Sequence, residues 1–110
     1  MGITRSDIYT DEQNRIATVA KAIGHPARVA ILQHIIKTRS CICGDLVDEI
    51  GLAQPTISQH LKELKNIGII KGNIEGTSVC YCIDDTTWKE YRDLLGLFFE
   101  SHNPSDEDCC

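Results

Sequence analysis

The sequence predicts a mainly α-helical domain closed by one small β-hairpin, and three observations carry that expectation. Apolar residues recur at three- and four-residue spacings through 16–36, 57–64 and 88–99. Strict alternation is confined to 69–83, where two short runs flank a glycine turn. Capping signals and glycines punctuate the helical stretches at intervals that suit short helices. At 110 residues the chain is one compact domain with a modest core, which a partner subunit would reinforce.

Taken in order, Thr10-Asp-Glu-Gln13 has the form of a capping box. Ile16, Val19, Ala20 and Ile23 follow before Gly24, giving a helix over roughly 11–23. Pro26 suits a first helical position and opens a second helix carrying Val29, Ile31, Leu32, Ile35 and Ile36. His25 and His34 read as a turn residue and a helix-flank residue, neither with a ligand partner in sequence. Gly44-Asp-Leu-Val-Asp-Glu-Ile-Gly-Leu52 supplies a short helix and a glycine turn, the first half of a helix-turn-helix. The second half follows at once: Ile57, Leu61 and Leu64 form an apolar stripe. Gln59, Lys62 and Asn66 lie opposite it, with Thr56 and Ser58 on the flanks. Amides read base edges and lysines meet phosphates, so this helix suits the major groove better than plain solvent.

Ile69–Ile74 and Ser78–Ile83, joined at Glu75-Gly-Thr77, form the hairpin, a wing after the reading helix. Val79, Tyr81 and Ile83 share one face, and Cys80 and Cys82 the other. Thr77 and Ser78 are expected to touch phosphate, whereas Glu75 would repel it. Asp84 and Asp85 precede a last helix, in which Thr87 and Glu90 have capping-box spacing. Trp88, Tyr91, Leu94, Leu95, Leu97, Phe98 and Phe99 crowd that helix beyond one narrow stripe, so it is expected to pack against its copy in a second subunit. Residues 1–10 are then an N-terminal arm, 11–100 the DNA-binding and dimerisation domain, and 101–110 a cysteine-bearing tail.

The formal charge is −5, which on its face disfavours nucleic acid. Residues 1–72, however, carry a net +2 and residues 73–110 a net −7, so the acidity lies away from the reading helix. Affinity follows the local count of phosphate-facing cations. No apolar run approaches bilayer length, and the first nine residues lack a secretion signal's apolar segment. The expectation is a cytoplasmic protein with reduced thiols. No Ser/His/Asp set, P-loop or carboxylate pair points to an enzyme.

Gly24-His-Pro-Ala-Arg-Val-Ala-Ile-Leu32 and Pro55-Thr-Ile-Ser-Gln-His-Leu-Lys-Glu-Leu64 closely resemble the ArsR/SmtB family of bacterial repressors, over about residues 11–100. The resemblance implies a winged helix-turn-helix homodimer, joined through its terminal helices, that binds a palindromic double-stranded operator and lets go when an inducer binds. It puts DNA contact on Gln54, Thr56, Ser58, Gln59 and Lys62. His60 also falls in the motif, but its helical angle borders the apolar stripe, and a structural role stays open. Many family members sense zinc-like ions through histidines and carboxylates along the final helix. Here residues 87–100 contain no histidine and His102 stands alone, so that site is not expected.

Six cysteines exceed what core packing needs in a domain of this size and favour a metal or redox role. They fall in three pairs: Cys41 and Cys43 at the expected start of the first helix of the DNA-binding pair, Cys80 and Cys82 on the wing, Cys109 and Cys110 at the end. Ser40-Cys-Ile-Cys-Gly-Asp-Leu46 looks like the element from which thiol-using family members bind trivalent arsenic or antimony, or soft divalent ions. A helix N-terminus would raise the thiolate fraction there. Arsenite takes three sulfurs, so the pair needs another donor, for which Cys109 and Cys110 are the first candidates; Cys80 and Cys82 rank behind them as a second thiol site. DNA binding itself needs no cofactor. The rivals are a repressor of the same fold switched by thiol oxidation, and a thiol-rich metal-storage protein.

Overall fold

A computed structural model describes residues 6–39, 41–43, 50–73 and 80–104. A 3-10 turn at Ser6–Ile8 leads into α1 (Asp11–Ile23), then α2 (Pro26–Thr38), β1 (Ile42–Cys43), α3 (Gln54–Asn66), β2 (Ile70–Asn73), β3 (Cys80–Ile83) and α4 (Asp85–Glu100). Both early helices start as their sequences dictate. The Thr10 hydroxyl accepts from the Gln13 amide at 3.0 Å, and the Gln13 side chain accepts from the Thr10 amide at 2.9 Å. At α2, Pro26 occupies the first turn and His25 Nδ1 caps it by accepting from the Ala27 amide at 3.0 Å. Residues 44–49, expected to begin the helix-turn-helix, lie outside the described residues.

α3 ends by a backbone device that steers the chain into the wing. The Gly68 amide donates to the Lys65 carbonyl at 2.9 Å and the Ile69 amide to Leu64 at 3.3 Å, with Gly68 at φ +80°. This is the Schellman arrangement, and its apolar contact is supplied by Leu64 and Ile69, both buried in the core. The core joins Ile31, Leu32 and Ile35 of α2 to Ile57, Leu61 and Leu64 of α3, with Ile69, Ile70 and Tyr81 from the wing's base.

The sheet has three strands where a two-stranded hairpin was expected. β3 is central, flanked by β2 and, on its other edge, β1, all antiparallel. Ile42 pairs with Tyr81 and Cys43 with Cys80. The first cysteine pair is thus extended chain rather than the opening of a helix. The Cys-Ile-Cys alternation lets Ile42 join the core margin beside Tyr81, which outweighs helix formation at that point. The last helix also begins earlier than Thr87. Asp84 caps it, its carboxylate accepting from the Thr87 amide at 3.0 Å, and that bond holds the Asp84 carboxyl below the usual carboxylate range. Thr87 is therefore the third helical residue and not the cap.

α4 buries no residue fully, and Leu97, Phe98 and Phe99 are 68%, 51% and 73% exposed. Its N-terminal half is anchored: Tyr91 Oη donates to the Ile67 carbonyl at the end of α3, and Arg15 of α1 pairs with Glu90. Among the described residues no helix is long and apolar enough to cross a membrane.

Gly72, at φ +120°, faces Tyr81 across the wing, and a Cβ there would sit 2.2 Å from the Cys80 carbonyl oxygen. At Gly51, φ +81°, a Cβ would meet nothing within 4 Å. Gly51→Ala is expected to cost ~1–2 kcal/mol from backbone strain alone. Gly72→Ala should cost more than about 3 kcal/mol, since the β3 backbone must move as well. Urea denaturation of both variants checks the order.

Candidate DNA-reading helix and thiol site

The reading helix is held by its apolar edge. Ile57, Leu61 and Leu64 are 1%, 2% and 0% exposed, which turns the opposite side outward. Gln54, Thr56, Gln59 and Lys62 are exposed and Ser58 is half-buried, so the expected contact residues share an accessible surface. Two of them are pre-oriented: Gln54 Nε2 donates to Ser58 Oγ at 3.1 Å, and Gln59 Nε2 to Glu63 Oε1 at 3.1 Å. No side chain caps the start of α3. Thr77 and Ser78 lie outside the described residues.

His60 departs from its expected neighbours. It is only 8% exposed and faces inward, where its Nδ1 accepts from Arg28 Nε at 3.0 Å. Arg28 also donates to the Ala22 carbonyl at 2.8 Å, and the His25 ring lies 4.6 Å from His60. One guanidinium thus ties the end of α1, the start of α2 and the middle of α3 together. The structural alternative for His60 is the one its burial fits, and a buried ring cannot reach a base edge. Burial foremost, then the neighbouring His25 and Arg28, lowers its pKa from the ordinary 6.5. The sequence offered a hint in the two positions His25 and His60 at helix starts and edges, but not their convergence on Arg28.

The cysteines are arranged by the sheet. With Cys43 opposite Cys80, the same antiparallel register brings Cys41 opposite Cys82. Cys41 and Cys82 are free thiols, whereas Cys80 is disulfide-bonded. Hydrogen bonding to the neighbouring Cys41, followed by burial, pushes the Cys82 thiol above its ordinary pKa; Lys71 pulls the other way and Asp85 adds to the rise. Both thiols border a groove of about 440 Å³ lined also by Ile35, Ile36, Ile83 and Trp88, with Arg39, Lys71 and Asp85 alongside. Cys109 and Cys110 lie outside the described residues. The meeting of the first two cysteine pairs was not foreseen, although the shared Cys-x-Cys alternation was the signal for it.

Residues 25–71 match the family described as bacterial regulatory protein, arsR family. The helix-turn-helix transcriptional regulator MJ1325 of Methanocaldococcus jannaschii is 41% identical over 86 residues, covering 77% of this chain and 96% of that one. The chain belongs to the ArsR/SmtB family. A cadmium resistance regulatory protein CadC homologue of Staphylococcus aureus is 33% identical over 87 residues, 78% of this chain and 71% of the homologue. The arsenical resistance operon repressor of Staphylococcus xylosus is 27% identical over 94 residues, 86% of each. The crystal structure of the transcriptional repressor BigR from Xylella fastidiosa shares the fold, with a TM-score of 0.59, 24% identity, and coverage of 93% of this chain and 100% of that one. As an ArsR-family member the chain is a DNA-binding transcriptional regulator and not an enzyme.

The lowered His60 pKa has a definite sign for stability. The unfolded chain takes up the proton first, so His60 supports the fold fully above pH 6.5 and progressively less as pH falls below that value toward its folded pKa. His60→Gln keeps an acceptor for Arg28 without titrating. Urea midpoints followed downward from neutral pH are expected to fall more steeply for the native chain than for H60Q.

Proposed function

We propose that this ArsR-family regulator is a homodimeric repressor that holds a palindromic operator and is released when a thiophilic metalloid or metal binds its cysteines, with trivalent arsenic or antimony first among inducers. The observation carrying the DNA half is the geometry of α3: its apolar edge is locked in the core while Gln54, Thr56, Gln59 and Lys62 project outward. In this reading Thr56, Ser58 and Gln59 meet base edges, Lys62 meets phosphate, and the uncapped start of α3 faces the backbone. Thr77 and Ser78 of the wing add phosphate contacts. His60 is excluded from the set by its burial and holds the helix from behind.

The bare apolar end of α4 supports dimerisation, since Leu97, Phe98 and Phe99 have no cover within the described residues of one chain. Two reading helices then meet half-sites about one turn of duplex apart. Inducer capture begins at Cys41 and Cys43, with Cys109 and Cys110 as further donors; ten extended tail residues span up to about 33 Å. The relatives named for arsenical and cadmium resistance support this inducer class, and a reducing cytoplasm is the compartment in which such thiols work. Displacement of α3 by a coupling of roughly 1–3 kcal/mol changes operator occupancy about five- to 150-fold.

A redox-switched repressor is the second reading, and one observation favours it: Cys80 is disulfide-bonded while Cys41 and Cys82, opposite each other in register, stand as free thiols. Operator release titrated with peroxide, and with arsenite under reductant, separates the two.

Thr56→Ala and Gln59→Ala are each expected to lose ~1–3 kcal/mol of specific affinity and to relax preference at the bases they meet. Lys62→Ala should weaken binding to all sequences alike and lower the salt slope by about 1. Fluorescence anisotropy on operator and scrambled duplexes measures both. In the same assay arsenite should release the native protein but not Cys41→Ser; a native complex indifferent to arsenite, antimonite and soft divalent metals refutes the inducer class.

A further inference from the structure

The groove at Cys41 and Cys82 has chemistry that the family's Cys-x-Cys element alone does not explain. Its two sulfurs come from different parts of the fold, one just ahead of β1 and one from the wing's central strand. Antiparallel register sets directly opposed side chains with Cβ atoms about 4.5–5.5 Å apart. A single soft atom reaches both sulfurs across that gap. Both are free thiols, whereas Cys80 on the same strand as Cys82 is disulfide-bonded. Ile35 and Ile36 of α2, Ile83 of β3 and Trp88 of α4 supply a hydrocarbon wall, and Arg39, Lys71 and Asp85 complete the lining. At about 440 Å³ the groove is roomy for an aromatic ring, since a cavity of ~150 Å³ accommodates benzene.

We propose that this groove is a binding site for monosubstituted trivalent arsenicals, R–As(OH)2, in which Cys41 and Cys82 take the arsenic and the apolar walls take R. The proposal rests on the thiophilic-inducer reading and deepens it by naming a wing cysteine as ligand and an organic group as the determinant of choice. Inorganic arsenite wants three sulfurs, whereas an arsenic already bonded to carbon wants two, which is the number the groove offers. The condensation balances without redox change: two As–O bonds break, two As–S bonds form, and the two thiol protons leave with the hydroxyls as two waters. The product staples the segment leading into the helix-turn-helix to the wing, and presses R against α2 and α4.

Trp88 is the chain's single tryptophan and lines the groove, so its fluorescence reports occupancy without a label. The probe is phenylarsine oxide in its dihydroxy form, with arsenite as the inorganic control, on intact protein without added thiol. The adjacent Cys109 and Cys110 can themselves take a phenylarsenical, so binding is read in the C109S/C110S background. There the chain, with or without C43S/C80S, is expected to bind one phenylarsenical per chain, seen by native mass spectrometry, with a change in Trp88 emission. In the same background Cys41→Ser and Cys82→Ser should each weaken binding at least tenfold, and arsenite should bind at least tenfold more weakly than the phenyl compound. The proposal is overturned if C82S in that background binds as tightly as its parent, if C109S/C110S abolishes binding, or if arsenite matches the phenyl compound there. Operator release is read in parallel. Release by arsenite that persists in C82S, with phenylarsenical affinity unchanged, sinks this site and leaves the general reading intact. Stoichiometric capture at Cys41 and Cys82 with no release by any thiophilic agent upholds the site and sinks the general reading.

Discussion

The burial of one edge of α3 is the constraint on which the rest of the molecule depends. Ile57, Leu61 and Leu64 sit at spacings of four and three, and all three are nearly inaccessible. Removing any of them would leave a cavity in a core that counts nine buried residues among those described, at a cost of ~2–5 kcal/mol. Because that edge cannot leave the core, the residues opposite it, Gln59 and Lys62, are turned to solvent. The amides and hydroxyls of α3 are thus presented by the same contacts that hold the domain together. His60 extends the constraint into polar territory: a neutral ring accepting from Arg28 satisfies a partly buried guanidinium and fixes the rotation of α3 about its axis.

The far end of α3 is constrained by different means. Its Schellman turn places Ile69 and Ile70 back in the core and launches the wing, while Tyr91 of α4 donates to the carbonyl of Ile67. The helix expected to carry the subunit contact is thereby hydrogen-bonded to the C-terminus of the helix expected to read DNA. Any rotation of α4 about its anchored half acts on α3 through that bond and through Trp88 and Tyr91, which pack against the same core. A dimer built on Leu97, Phe98 and Phe99 would fix the spacing of two reading helices through a short and stiff path.

Much of this was legible in the chain because local rules decided it. The Thr10–Gln13 box, Pro26 in the first turn of α2, and the stripe of α3 are determined by residues within one or two turns of each other. The residues that carry the family resemblance, 24–32 and 55–64, lie within the matched span of 25–71 except for Gly24. What local rules missed were pairings across long separations. Cys41–Cys43 sits beside a helix signal, and only the distant Cys80–Ile83 strand, supplying unpaired edge groups, makes it extended. Asp84 displaced Thr87 as cap because two adjacent capping signals compete, and the earlier one won by a full turn. The convergence of His25, Arg28 and His60 joins positions up to 35 apart and has no periodic signature.

The division of labour within the β1–β3 pair follows from the period of a strand. Ile42 and Tyr81 face the core, and Tyr81 is 1% exposed, so the inward residues hold the two strands in register. Cys41 and Cys82 take the alternate face, where they border the groove beside α2 and α4, Cys41 exposed and Cys82 half-buried. Cysteine also needs a fixed neighbour to act as a chelate or a switch, and register supplies one without a dedicated scaffold. A one-residue slip would carry all the sulfurs into the core and both apolar partners out, which the buried Tyr81 forbids. The two free thiols are therefore held opposite each other by a pairing that the buried Tyr81 fixes from the inner face of the strand.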